Sequence, residues 1–198
     1  MELHINKRLK ALLPPQTKQE LEQLKANIDE EGILDPILYW NDGKKNIVID
    51  GMTRYGIAQA GNLAFDTKEI VIEGGIEEAE VWILNHQLGR RNVLDPAAIR
   101  KIRGELYNRL KGKRGGDHTS QEAKCQSDTL LSDAANEIAE KAGVSPATVK
   151  RDGARVEKLA SLTKAAKKAA EKASDAEIKA LAKLKPEKQN AVAHAMNK

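Results

Sequence analysis

Hydrophobic positions over the first half of the chain change between helical and strand-like spacing. Leu21, Leu24 and Ile28 share one face of a predicted helix that ends at Gly32. Two apolar runs, ILDPILYW and KNIVID, follow on either side of the turn-forming residues NDGKK and predict neighbouring strands. GMTRYGIAQAGN predicts a helix, KEIVIEGG a strand and IEEAEVWILNHQL a helix. The pattern therefore predicts a compact α/β module in residues 1–98.

The second half of the chain carries almost no strand signal. DPAAIRKIRGELYNRLKG predicts a helix with Asp95 as N-cap, Pro96 at the first position and Gly112 as the stop. Residues 112–128 lack apolar periodicity, so we assign 99–128 to a connecting helix and a flexible linker. Residues 129–198 predict a helical domain. The predicted fold class is therefore α+β, a small α/β module followed by an all-α domain.

The most specific local pattern is NEIAEKAGVSPATVKRDGAR, residues 136–155. Gly143 permits a left-handed turn between two helices, Ser145 is the predicted N-cap of the second, and Val149 returns to the core. This spacing predicts a helix-turn-helix that presents the start of its second helix to the DNA major groove. The predicted DNA-binding residues are Ser145, Ala147, Thr148, Lys150, Arg151 and Arg155. The alternative is an ordinary helical hairpin, which also needs a glycine turn.

Net charge differs in sign between the two halves. Residues 1–98 hold 11 Lys and Arg against 16 Asp and Glu, whereas residues 99–198 hold 22 against 13. A basic second half indicates a polyanionic partner such as double-stranded DNA, although a solvated lysine-rich surface has the same composition. No apolar run is long enough for a bilayer, and the first ten residues are too polar for a signal peptide, so we expect a cytoplasmic protein without a membrane partner. One cysteine, Cys125, excludes an intramolecular disulfide.

A second candidate site lies where a predicted strand enters a helix. In NIVIDGMTRYGIA, Gly51 lets a ligand approach the helix N-terminus, and Arg54 lies one turn further on. NHQLGRRNVLDP adds hydrogen-bond donors suited to phosphate or a nucleotide. Taken alone, each pattern is also common in purely structural turns and surface arginine pairs.

Three segments, LEQLKANIDEEGILDPI, VIDGMTRYGIAQAG and NHQLGRRNVLDP, resemble the N-terminal module of ParB-type partition proteins in their order and spacing, especially the shorter plasmid and phage members. The resemblance covers about residues 10–100, and the predicted helix-turn-helix stands where that family has one. It implies a ParB/sulfiredoxin-like fold, a specific DNA site, a homodimer, a partner partition ATPase, and association with a nucleoid or plasmid. It also implies a role in partition or maintenance, with transcriptional repression as a further role.

In many members of that family, two arginine boxes hold CTP with Mg²⁺. By position, the resemblance assigns nucleotide and phosphate binding to Gly51, Thr53, Arg54, Gln87, Arg90 and Arg91. Met52 and Thr53 stand where the typical first box has charged residues, and Gln87 and Leu88 replace Glu-Asn in the second. The expected acceptor for Mg²⁺ or water is therefore missing, which argues against hydrolysis, and Met52 excludes sulfiredoxin chemistry.

Two other functions remain open at the level of sequence. Some ParB-like relatives are described as nucleases, and Asp35, Asp42 and Asp50 are the acids near the first box that a metal-dependent nuclease would use. Their spacing is not that of metal ligands, and Asp35 and Asp42 are typical turn residues. No catalytic or metal-binding residue is therefore assigned. The helical half would alternatively act as an adaptor that binds another protein.

Overall fold

The computed structural model describes residues 1–89, 95–113, 133–170 and 173–196. The chain divides into two compact units, Met1–Gln87 and Leu88–Lys198. The three domain ranges inferred from sequence stay a prediction, since most of the expected linker lies outside the described residues. None of the described helices combines the length and apolar character that a membrane crossing requires.

Unit 1 contains a four-stranded sheet in the order β1-β3-β2-β4, with β1 at Leu3–His4, β2 at Ile37–Asn41, β3 at Asn46–Asp50 and β4 at Thr67–Glu69. Strands β2 and β3 pair antiparallel, with Tyr39 opposite Val48, which confirms the predicted strand pair. The outer strands pair in parallel, β1 with β3 and β4 with β2. The third predicted strand is shorter and begins earlier than KEIVIEGG, because only its first residues reach β2.

Four helices complete unit 1: α1 at Lys7–Lys10, α2 at Lys18–Glu31, α3 at Met52–Gly61 and α4 at Ile76–Leu88. A capping box between Thr17 and Glu20 starts α2, which matches the predicted first helix. The core is aliphatic, since the β3 residues Ile47, Val48 and Ile49 are buried together with the inner face of α4. This core holds the β3–α3 junction, where the second candidate site lies.

Unit 2 is helical throughout its described part. Its elements are α5 at Pro96–Lys113, α6 at 133–142, α7 at Pro146–Ala160, α8 at Lys164–Ala169, α9 at Asp175–Ala182 and α10 at Pro186–Met196. The Asp95 carboxylate accepts hydrogen bonds from the Ala97 and Ala98 amides at 3.0 and 3.3 Å, which confirms the predicted N-cap of α5. The α+β class predicted from the sequence is confirmed.

Two features of packing organise unit 2. Helix α5 packs extensively on α7, while α8 packs on α10 and α7 also contacts α9. The C-terminal helices share a small core built largely from alanine, in which Ala166, Ala170 and Ile178 are fully buried. Helix α7 is therefore supported by both α5 and α9.

Candidate nucleic-acid interface

The turn between α6 and α7 has the geometry that the sequence predicted. Gly143 has φ +64°, a left-handed conformation that residues with a Cβ rarely adopt. The Val144 amide donates to the Ala139 carbonyl at 3.0 Å, and the Gly143 amide donates to the Glu140 carbonyl at 3.3 Å. These bonds satisfy carbonyls at the end of α6 and fix the direction in which the chain enters α7.

The first turn of α7 is organised by hydroxyl groups. The Ser145 hydroxyl accepts a hydrogen bond from the Thr148 amide at 3.3 Å, and Pro146 stands at the first helical position. The two hydroxyls of Ser145 and Thr148 are 3.0 Å apart, and Arg151 donates to the Thr148 hydroxyl at 3.3 Å. Val149 is fully buried, as predicted. One side of the helix is thereby anchored and the other is free to face a ligand.

The exposed side of this turn carries two positive charges. Ser145, Ala147, Lys150 and Arg151 are all exposed, and Thr148 is partly buried. In the described part of the chain, Lys150 and Arg151 form no ion pair, whereas the neighbouring Lys141 on α6 lies 2.8 Å from the Glu137 carboxylate. The α7 charges are therefore not neutralised by carboxylates of the described unit, and Coulomb attraction to phosphate is available there.

Arg155 occupies a different position from the one expected. Its side chain is only 10 % exposed, and it donates hydrogen bonds to the Asp175 carboxylate at 2.6 Å and to the Ala173 carbonyl at 2.8 Å. The sequence predicts Arg155 as a DNA contact that flanks the recognition helix, but in the structure its guanidinium is engaged by Asp175 of α9 and by the Ala173 carbonyl instead. The reason is tertiary: α9 brings a carboxylate to Arg155, which no local pattern in α7 reveals.

Buried ion pairs connect α7 to α5. Asp152 of α7 is 1 % exposed and accepts hydrogen bonds from Arg100 at 3.0 Å and from Arg103 at 2.9 Å. Arg100 also donates to Asp175 at 2.7 Å. The result is a chain of alternating charges that runs from Arg103 through Asp152, Arg100 and Asp175 to Arg155. Sequence reasoning missed this network.

Two glycines let α5 and α7 approach closely. A Cβ on Gly104 would lie 2.5 Å from the Asp152 carbonyl oxygen, and a Cβ on Gly153 would lie 2.5 Å from the Tyr107 ring. The Asn108 side chain donates to the Gly153 carbonyl at 2.9 Å across the same contact. Close packing and hydrogen bonds between the two helices together hold α7 against α5.

Burial and the neighbouring arginines have opposite effects on the pKa of Asp175. Burial raises the pKa of the Asp175 carboxyl, but the hydrogen bonds and positive charges of Arg155 and Arg100 outweigh it. The pKa therefore lies below its ordinary value. Asp175 is ionised near neutral pH and keeps the two arginines paired.

The β3–α3 junction combines features for and against an anion site. Gly51 has φ +79°, and a Cβ there would lie 2.9 Å from Ile37 and 3.1 Å from the Arg54 guanidinium. No side chain caps the N-terminus of α3. Arg54, however, donates to the Asp35 carbonyl at 2.5 Å and to the Asp50 carboxylate at 3.3 Å. A phosphate at the start of α3 would find backbone amides that no side chain caps. By contrast, Arg54 already has hydrogen-bond partners in Asp35 and Asp50.

The other residues assigned to this site are distributed as follows. Thr53 lies in the first turn of α3, where its hydroxyl donates to the Gln16 side chain at 2.8 Å, and Met52 is buried. Gln87 on α4 is 9 % exposed, so its side chain is largely withdrawn from solvent. Arg90 and Arg91 lie outside the described residues.

The acids considered for a nuclease play local roles. Asp42 accepts hydrogen bonds from the Lys44 and Lys45 amides at 2.8 and 2.7 Å, as a turn residue does. These bonds lower the pKa of the Asp42 carboxyl. Asp50 is buried beside Arg54, while the Asp35 side chain is 86 % exposed and 3.8 Å from the same guanidinium.

Solved structures of ParB proteins align with nearly the whole chain. A Pnob8-like ParB-N domain matches with a TM-score of 0.58 and 16 % identity, over 96 % of this chain and 84 % of that one. A C-terminally truncated ParB from Caulobacter crescentus in complex with CTP-gamma-S has 16 % identity over 99 % of this chain and 94 % of that one, but a TM-score of 0.37.

The same Caulobacter protein in complex with the centromeric parS site has 18 % identity over 98 % of this chain and 95 % of that one, with a TM-score of 0.43. Scores this low do not establish a shared overall fold for these two structures. No protein-family model and no curated protein sequence matches the chain. The likeness in fold therefore comes from the Pnob8-like structure, and the chain has the fold of a ParB-N-type protein, an α/β module followed by helices.

Proposed function

We propose that this chain is a sequence-specific DNA-binding protein of the ParB-like type, which reads a duplex site through the first turns of α7. The observation that carries the proposal is the exposed pair Lys150 and Arg151 on a capped helix that buried contacts fix in place. A groove-reading helix needs both properties, because mobile side chains on a mobile helix lose specificity.

The biological role that we propose is plasmid or phage partition or maintenance, with repression of an overlapping promoter as a consequence of binding. A single recognition helix reads too few base pairs to stand out in a genome, so the active species is a homodimer on paired half-sites. A partition ATPase is the further partner that this role implies.

We also propose that a nucleotide, CTP with Mg²⁺, regulates DNA binding from the β3–α3 junction. The support is the left-handed Gly51 and the start of α3, which no side chain caps, since a helix N-terminus of this kind favours an anion. Thr53 and Arg54 would hold the phosphates, with Gln87, Arg90 and Arg91 as a second set of donors. Binding would require Arg54 to exchange a present partner, Asp35, for the ligand.

Selection from a random duplex library tests the DNA-binding proposal. Wild-type protein should enrich a consensus, and a variant with Lys150→Ala and Arg151→Ala should not. The matched control is Lys44→Ala with Lys45→Ala, two exposed neighbouring cations of unit 1. Enrichment of the same consensus by the α7 variant would remove α7 from the reading of DNA, and no enrichment by wild type would reject the function.

Calorimetric titration tests the nucleotide proposal separately. CTP with Mg²⁺ should bind the wild-type protein more tightly than the other three nucleotides do, and Arg54→Ala should weaken that binding. Equal heats for all four nucleotides would reject CTP as the regulator. Plasmid DNA incubated with Mg²⁺ or Mn²⁺ should stay intact, whereas metal-dependent nicking lost in Asp50→Ala would show a nuclease instead.

A further inference from the structure

Helix α8 carries a group of three lysines whose charge no described residue balances. Lys164, Lys167 and Lys168 are all exposed, and none of them forms an ion pair in the described ranges. Their spacing of three and four residues places them on one face of the helix. We call this group the α8 lysine patch.

The opposite face of α8 already supplies its packing. Ala166 and Ala170 are fully buried against the C-terminal helices, and the Thr163 hydroxyl caps the start of α8 by accepting from the Ala166 amide at 3.3 Å. The lysine stems are therefore not needed to cover the core. Their ammonium groups remain in solvent.

Lys164 is unfavourable for the helix that carries it. It is a like charge at position i to Lys168 at i+4, and it stands at the first helical position, where the helix dipole disfavours a cation, whereas Lys167 and Lys168 stand in the last turn, where the dipole favours one. No ion pair within the described ranges offsets this cost. A local cost without a folding benefit is typical of a functional surface.

The position of the patch favours a particular ligand. Helix α8 begins directly after α7, and Leu162 in the short connection is buried, so the two helices are anchored to the same unit. A duplex that lies on α7 extends beyond that helix and presents one negative charge for about every 1.7 Å of its axis. We infer that the α8 lysine patch contacts the phosphate backbone of the same duplex, outside the bases that α7 reads.

This inference rests on the proposed DNA-binding function and adds a separate, sequence-independent component to it. Phosphate contacts set affinity and its salt dependence, but they carry no direct sequence information. Loss of the patch should therefore weaken binding to every duplex alike, whereas loss of the α7 charges should also reduce the preference for the selected consensus.

The experiment measures affinity for a labelled random-sequence duplex of about 20 base pairs, two helical turns, over a range of salt concentrations. The patch variant replaces Lys164, Lys167 and Lys168 by glutamine in the full chain. Each lost phosphate contact lowers the slope of log K against log salt by about 0.9, so three contacts predict a decrease of about 2.7. The ratio between consensus and random duplexes should stay unchanged.

A matched control removes three exposed lysines from unit 1 and so lowers the net charge equally: Lys25→Gln, Lys44→Gln and Lys45→Gln. Its salt slope should stay near the wild-type value. The patch variant should also unfold close to the wild-type temperature, because the like-charge repulsion that it removes and the favourable dipole interaction that it loses at Lys167 and Lys168 are both small.

The outcomes separate this inference from the function on which it rests. A patch variant with the wild-type salt slope, while Lys150→Ala still reduces binding, would overturn the inference and leave DNA reading by α7 intact. Equal loss of slope in the control would also overturn it, since net charge alone would then explain the effect. No binding by wild type at low salt would reject both.

Discussion

Asp152 joins α7 to α5 through a buried carboxylate. Its carboxylate is 1 % exposed and holds Arg100 and Arg103 of α5 at 3.0 and 2.9 Å. Asp152→Asn keeps the shape of the side chain but removes the negative charge between two guanidinium groups. Removal of one partner from a buried ion pair costs about 3 to 5 kcal/mol, because the remaining charge is left uncompensated.

The lower end of that range applies here, because the Arg100 side chain is 33 % exposed and can regain water, whereas Arg103 is 12 % exposed and cannot. We therefore expect Asp152→Asn to lower the free energy of unfolding of unit 2 by about 3 kcal/mol. With an m-value of about 1.5 kcal/mol per molar of urea, the midpoint falls by about 2 M.

Far-UV circular dichroism in urea measures this shift, since most of the helices that it detects belong to unit 2. Trp40 and Trp82 both lie in unit 1, so tryptophan fluorescence follows that unit separately. The control is Glu157→Gln, the same chemical change on α7 in an exposed pair with Lys111, where we expect less than about 1 kcal/mol. A midpoint for Asp152→Asn as close to wild type as that of the control would show that the Asp152 charge does not stabilise unit 2.

Three further predictions concern α7 and its supports. Gly153→Ala should destabilise unit 2 by at least about 1 to 3 kcal/mol, since its Cβ would collide with Tyr107. Gly56→Ala lies in open space on α3 and should stabilise unit 1 by about 0.5 to 1 kcal/mol. Thermal unfolding of the two variants measures both effects. The depressed pKa of Asp175 contributes stability that is fully present above its unfolded pKa of about 3.9 and is lost as the pH falls through the folded pKa. Urea midpoints measured from pH 6 to pH 2 should show a smaller acid loss in Asp175→Asn than in wild type; parallel curves would contradict this. Ser145→Ala should cost about 0.5 to 2 kcal/mol by removal of the α7 cap, and a loss no larger than that of Ser161→Ala would argue against the cap.

Sequence patterns were sufficient to predict those elements that depend only on residues close together in the chain. The pairing of β2 with β3, the cap at Asp95 and the left-handed turn at Gly143 were all predicted and are confirmed. Each depends on residues within a few positions of one another, so periodicity and turn chemistry specify it.

Elements that depend on distant partners were not predicted. Strand β1 contains only two residues and exists because it pairs with β3, more than forty residues later. Arg155 was predicted to contact DNA because nothing near it in sequence indicates the carboxylate on α9. A signal for the α5–α7 contact was present but not used: Gly104 and Gly153 interrupt predicted helices, where glycine is unfavourable unless another backbone approaches closely.

The candidate site was predicted in part for the same reason. The first turn of α7, with Lys150 and Arg151 exposed, follows from capping and helical spacing. The network that fixes this helix joins α5, α7 and α9 through charges that only the tertiary fold brings together.

Nuclear magnetic resonance during titration with a consensus duplex locates the DNA contact on the protein, because binding shifts the backbone amide signals of residues at the interface. We expect the largest changes on residues 145–151, with little change on the acidic helix α2. Strong changes elsewhere, with the amides of Ser145, Lys150 and Arg151 unmoved at saturation, would contradict the proposed DNA reading by α7.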